Sequence, residues 1–248
     1  MTALGLMIPF AGTALGAAMV YLMKNKTNEA LRQILLGFAS GIMIAASVWS
    51  LLLPAIELSG SIVPYTAGFV FGTVFLLALD KVITRLCARS NATDIGSRTL
   101  IMALVVTLHN IPEGMAVGVT MAAAMNKQSG ITYTAGLALS VGIAIQNFPE
   151  GAIISLPLKA EGASKGKAFL WGALSGAVEP VFGVITLLIT GAIVAVLPFM
   201  LSFAAGAMIY VVAKELIPES HSSAHADLAQ CGLTLGFVVM MLLDVCFG

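Results

Sequence analysis

An all-α integral membrane bundle of eight transmembrane helices is the fold this sequence predicts, and three observations predict it. The chain is 59% hydrophobic and only 10% charged, with a mean hydropathy of +1.01. A soluble domain carries about 25% charged residues, so the solvent for this much apolar surface is a bilayer. Apolar stretches of about 20 residues, the length that crosses a membrane, recur eight times with short polar joints between them. The basic residues, finally, collect in alternate joints.

The spans fall at roughly 4–23, 33–57, 62–82, 99–125, 131–158, 167–190, 192–216 and 227–247. They leave little outside one transmembrane domain over 1–248. The first begins in MTALGLMIPF, which lacks the basic start of a cleaved signal peptide and is read as the opening of a spanning helix. GTALGAA in the first span, GFASG in the second, GALSGA in the sixth and FAAGA in the seventh supply the small residues that let helices approach closely in lipid. Such faces also allow a homodimer. Eleven of the twelve Lys and Arg fall in four alternate joints: Lys24, Lys26 and Arg32; Lys81, Arg85, Arg89 and Arg98; Lys159, Lys165 and Lys167; and Lys214. Lys127 alone lies on the other side. The positive-inside rule then puts both termini outside. Seven or nine spans would scramble this division.

The fourth and fifth spans break the apolar pattern in the same way. Residues 107–118 read TLHNIPEGMAVG, and residues 145–154 read IQNFPEGAII. Glu113, Glu150 and, in the sixth span, Glu179 are carboxylates at membrane depth, joined by His109. A charged residue at a helix centre costs about 2.5–3.5 kcal/mol on insertion scales and persists where it faces a cavity, a partner or an ion. No Lys or Arg lies at that depth to neutralise these carboxylates. On a helix, residues three and four apart share a face. His109 and Asn110 therefore point with Glu113, and Gln146 and Asn147 with Glu150. At about 1.5 Å per residue both clusters lie near the midplane, on antiparallel neighbours. That arrangement is an inverted repeat around a central site. Pro112 and Pro149 remove the hydrogen bonds to the carbonyls of Leu108 and Ile145, which suits a helix wall that lines a cavity. Imidazole with carboxylates and amides is a donor set for divalent ions such as Zn²⁺, Fe²⁺ and Mn²⁺.

Other classes find less support. A net charge of zero gives no electrostatic basis for a nucleic-acid partner. Cys87, Cys231 and Cys246 lie far apart and read as apolar filler. An intramembrane metalloenzyme wants a metal-bound water and a general base, and no HExxH string is present. A proton-coupled carrier for another solute, with the carboxylates as relays, is the remaining alternative. The amide beside each Glu favours coordination over relay.

HNIPEG in the fourth span, QNFPEG in the fifth and AVEP in the sixth resemble the ZIP family of divalent metal transporters, in particular its bacterial GufA-like branch. The resemblance covers the whole chain. It implies a transporter moving zinc, iron, manganese or cadmium into the cytoplasm across a bacterial inner (plasma) membrane, with the metal as substrate and no prosthetic group. It implies ligands at His109, Asn110, Glu113, Gln146, Asn147, Glu150 and Glu179, with Met43 as a thioether ligand. Ser50 and Glu57 follow Met43 at seven-residue steps and look like an entrance path. Glu215, His221 and Asp244 are the candidate exit. Many relatives have His where Gln146 stands, and some have an acid where Asn147 stands, which leaves metal preference and a second bound ion open. The family's histidine-rich loop between spans three and four is absent, so His221 and His225 are the candidate cytoplasmic sensors.

Overall fold

The computed structural model describes residues 1–22, 29–89, 95–126, 129–160, 162–192, 194–222 and 225–247. Of the residues singled out above, Lys24, Lys26 and Lys127, and the side chains of Cys87, Arg89, Arg98 and His109, lie outside the described residues.

The described chain is helical. The helices are α1 (Thr2–Leu22), α2 (Glu29–Ala46), α3 (Leu53–Leu58), α4 (Ile62–Arg89), α5 (Ile95–Met125), α6 (Tyr133–Ala160), α7 (Lys165–Ser175), α8 (Val178–Ala192), α9 (Leu197–Val211), α10 (Ile217–Ser220) and α11 (Ala226–Phe247). Among the described residues, seven helical segments are long and apolar enough to cross a membrane. The expected fourth span falls on α5, an unbroken helix of 31 residues. The protein is thus an all-helical integral membrane protein.

The helices depart from simple rods at three places. A π-helical segment, Ser47–Leu52, joins α2 to α3, and a second, Val212–Leu216, joins α9 to α10. Each ends just before a proline, Pro54 or Pro218, in the first turn of the next helix. A proline has no N–H and its ring crowds the carbonyl four residues back, so the wider π turn accommodates it. The expected sixth span, by contrast, is broken: α7 stops at Ser175, Gly176 and Ala177 form a turn, and α8 starts at Val178. Pro112 and Pro149, meanwhile, sit inside helices that run on through them.

Four pairs of helices carry most of the packing: α1 with α6, α2 with α11, α4 with α9, and α5 with α8. Glycines four residues apart close each crossing, such as Gly68 and Gly72 on α4 against Phe199 and Phe203 of α9. With no side chain between them, backbones approach to van der Waals contact, which replaces the missing hydrophobic drive between helices in lipid. The pairs assemble into two sets. One holds α1, α5, α6, α7 and α8; the other holds α2, α3, α4, α9, α10 and α11. They meet mainly where α2 and α11 touch α6 and where α4 and α9 touch α5. Number the eight expected spans in order. This pairing is then unchanged when spans one and six, two and seven, three and eight, and four and five trade places. The two π segments trade places under the same exchange. Ion pairs of Arg32 with Glu219 and of Lys214 with Asp80 tie the second set together.

The glycine contacts predict a contrast. A Cβ at Gly72 would stand 2.0 Å from the Phe203 carbonyl oxygen, whereas nothing lies within 4 Å of one at Gly60. Gly72→Val is expected to cost about 1–3 kcal/mol through forced separation of α4 and α9. Gly60→Ala should leave the unfolding midpoint of the detergent-purified protein where it is.

Candidate metal centre

The two PEG segments meet inside the first helix set. Asn110 and Glu113 project from α5 and Gln146, Asn147 and Glu150 from α6, all of them buried. The Gln146 amide donates to Glu113 Oε1 at 2.7 Å, which links the two motifs directly. Glu179, also buried, comes from the second residue of α8, just beyond the break in the sixth span. Asn110 donates from one nitrogen to the Ser175 carbonyl oxygen at 3.1 Å and to Glu179 Oε1 at 2.9 Å. One amide therefore ties the end of α7 and the start of α8 to α5. Glu150 and Glu179 both lie within electrostatic reach of Glu113. Asn147 sits beside Glu113 and Glu179, yet neither of its amide atoms completes a hydrogen bond of ordinary geometry.

The glycine of each motif has a steric reason. A Cβ at Gly114 would stand 2.3 Å from the carbonyl oxygen of Glu179, and one at Gly151 would stand 2.0 Å from that of Thr13 on α1. Each PEG glycine thus brings a backbone against the residue after its glutamate: α8 at Gly114 and α1 at Gly151. These approaches also bring the Thr13 hydroxyl to Glu179 Oε1, to which it donates at 3.0 Å. No local pattern in GTALGAA separates this threonine from a helix-packing residue.

The hydrogen bonds leave several buried polar atoms of the site over. Asn110 Oδ1, Glu113 Oε2, Gln146 Oε1, Asn147 Oδ1 and Glu179 Oε2 are buried without a hydrogen-bond partner. The amide nitrogens of Asn110 and Gln146 face the carboxylates, so what remains unanswered is mostly oxygen, with the amide nitrogen of Asn147 beside it. A buried polar atom without a partner costs about 1–3 kcal/mol, and a charged one more. A cation compensates such a set. Among the described residues no three His, Cys, Asp or Glu side chains cluster tightly enough to cage a metal by themselves.

The remaining expected residues divide between the two ends of the bundle. Met43 is fully buried in the apolar core, on α2, which packs on α6. Ser50, in the first π segment, and Glu57 line a cavity of about 450 Å³ with Trp49, Thr120, Thr132 and Asp244. Asp244 is a correction to the expected exit group. Its Oδ1 accepts the Ser50 hydroxyl at 2.5 Å, at the Ser50 end of the bundle. It stands eighteen residues into α11, about 27 Å along that helix from its start beside the α10 end. Glu215 and His221 stay at the opposite end, in the second π segment and just after α10. The His221 ring lies 3.0 Å from the Ile217 carbonyl oxygen, and His225 lies within electrostatic reach of Glu29.

Comparison with known proteins finds the chain similar to zinc transporters. The family model described as ZIP Zinc transporter matches residues 88–244. The chain is 37% identical to Zinc transporter ZIPB of Bordetella bronchiseptica, over 96% of this chain and 79% of that protein. It is 35% identical to Zinc transporter GufA of Myxococcus xanthus, over 96% of each. Identity to the human Zinc transporter ZIP11 is 33%, over 99% of this chain and 96% of that one.

Asn110 also carries a structural expectation. Asn110→Ala removes a donor from the Ser175 carbonyl and one of the two donors to Glu179 Oε1, and should cost about 1–3 kcal/mol. Thermal unfolding in detergent reads this as a lower midpoint without metal; an unchanged midpoint would mean that the broken sixth span needs no such tie.

Proposed function

The chain belongs to the ZIP zinc transporter family, and from this premise we propose that it carries divalent metal ions across the membrane into the cytoplasm, zinc foremost, with iron, manganese and cadmium as further substrates. The observation that carries this reading is the set of buried, unpartnered oxygens on Asn110, Glu113, Gln146, Asn147 and Glu179. With Glu150 and His109 they form the transport site. A carrier must release its ion, and a site diluted with neutral amides binds less tightly than one of carboxylates alone. Protons compete with metal for the carboxylates and for His109, so uptake depends on pH.

The proposed path starts at the cavity of Ser50, Glu57 and Asp244. From there Ser50 and Thr120 lie seven residues, about 10 Å, from Met43 and Glu113 along their own helices. Apolar Ala46, Ala116 and Val117, all buried, occupy that interval. The ion leaves past Glu215 and His221. Eight spans, with α5 as the fourth and both termini outside, make the cavity extracellular; the bacterial relatives support the inner membrane as location. Access alternates by movement of the set α1, α5, α6, α7 and α8 against the other set. This is supported by the packing, since all three glutamates ride on the first set and the ion pairs brace the second.

Reconstituted in liposomes, the protein should show saturable zinc entry that cadmium, iron and manganese reduce. Glu113→Ala and Glu150→Ala should each lower it about 10-fold or more while remaining folded. Undiminished entry in both variants would overturn the assignment of the site. Absence of metal entry in the correctly oriented wild type, with flux of another solute, would favour the proton-coupled carrier.

A further inference from the structure

We propose that Thr13, on the first span, is a positioning residue of the metal site, one that fixes how the Glu179 carboxylate presents itself to the ion. The proposal rests on the transport reading above. Thr13 is fully buried. Its hydroxyl donates to Glu179 Oε1 at 3.0 Å, and the Asn110 amide donates to the same oxygen at 2.9 Å. Glu179 Oε1 therefore accepts two hydrogen bonds, whereas Oε2 is buried with none. The carboxylate is divided into one oxygen spent on the protein and one left for the cation. Such a carboxylate offers one oxygen in a fixed direction, not a chelating pair.

The position of Thr13 is itself determined closely. A Cβ at Gly151 would stand 2.0 Å from its carbonyl oxygen, and a Cβ at Gly176 would stand 2.7 Å from its Cβ and from its Oγ1. Thr13 is therefore held between α6 on one side and the break in the sixth span on the other. It cannot shift without moving Gly151, the glycine next to Glu150, or Gly176, three residues before Glu179. Thr13 thus meets α6 beside Glu150 through its backbone and Glu179 on α8 through its hydroxyl. Its helix-internal contact, to the Pro9 carbonyl oxygen at 3.5 Å, is longer than the bond to Glu179. Side chains that orient a metal ligand through a hydrogen bond are worth about 10–100-fold in metal affinity.

The test compares Thr13→Val, which keeps the shape and removes the hydroxyl, with Thr13→Ser, which keeps the hydroxyl. Zinc uptake into proteoliposomes gives KM and maximal rate, and calorimetric titration of the detergent-purified protein with zinc gives Kd. Thr13→Val should raise both KM and Kd about 10-fold or more, with the maximal rate per folded protein little changed. Thr13→Ser should stay close to wild type in both. A threonine that only packs helices would lower the unfolding midpoint in Thr13→Val and leave KM and Kd alone, and that result overturns the proposal. So does a Thr13→Ser protein as impaired as Thr13→Val. If Thr13→Val does not fold, Thr13→Ala replaces it with the same expectation. Wild-type protein that neither binds nor transports zinc would overturn the transport reading, and this inference with it. Wild-type transport matched by Thr13→Val overturns this inference alone.

Discussion

Three buried carboxylates, Glu113, Glu150 and Glu179, in an apolar bundle are the constraint on which the rest of this structure depends. In a medium of low dielectric constant, charges of one sign cannot share a small volume without compensation. The chain supplies part of it with neutral donors: the amides of Asn110 and Gln146 and the hydroxyl of Thr13 all point at carboxylate oxygens. These donors cover one oxygen on each of Glu113 and Glu179 and leave the other bare. In the proposed function a cation completes a site of this composition. Complete pairing with arginines would have produced a rigid core with nothing left to bind.

The helix crossings serve the same constraint. Gly114 lets α8 come close enough for Glu179 to reach Asn110, and Gly151 lets α1 come close enough for Thr13 to reach Glu179. A break in the sixth span then places Glu179 in the first turn of α8, where the positive end of the helix dipole favours a negative charge. Backbone groups freed by that break are answered in part by Asn110 at the Ser175 carbonyl. The buried carboxylate cluster and the glycine crossings are therefore one device: each motif spells a glutamate, a proline and the contact that holds the glutamate in place.

Much of this was legible in the sequence because it is periodic or repeated. The all-helical membrane class and the spacing of Asn110 with Glu113 and of Asn147 with Glu150 follow from one-dimensional patterns, and so does the pairing of the two motifs. The break at Gly176 and Ala177 left only a weak signal, a glycine four residues before Pro180, inside a run apolar enough to read as continuous. Thr13 and Asp244 left none. Thr13 acquires its role through Glu179, 166 residues away, and Asp244 through Ser50, 194 residues away. Sequence spacing carries no information on such contacts; they are fixed by which helices pair, and the pairing is written in glycines that look alike in every span. The π segments belong to the same class, since a proline announces a disturbance of the helix but not its form.

Buried oxygens of the two PEG segments, together with Glu179, are proposed as the first shell of a bound divalent ion. Zinc-edge X-ray absorption on the zinc-loaded, detergent-purified protein measures that shell directly, in wild type and in the Glu113→Gln, Glu150→Gln double variant. The proposed site predicts a shell of oxygen and nitrogen neighbours at about 2.0–2.2 Å in the wild type. In the double variant it predicts the signature of water-coordinated zinc or no retained zinc. The same wild-type shell in the double variant would contradict it and move the site away from these helices.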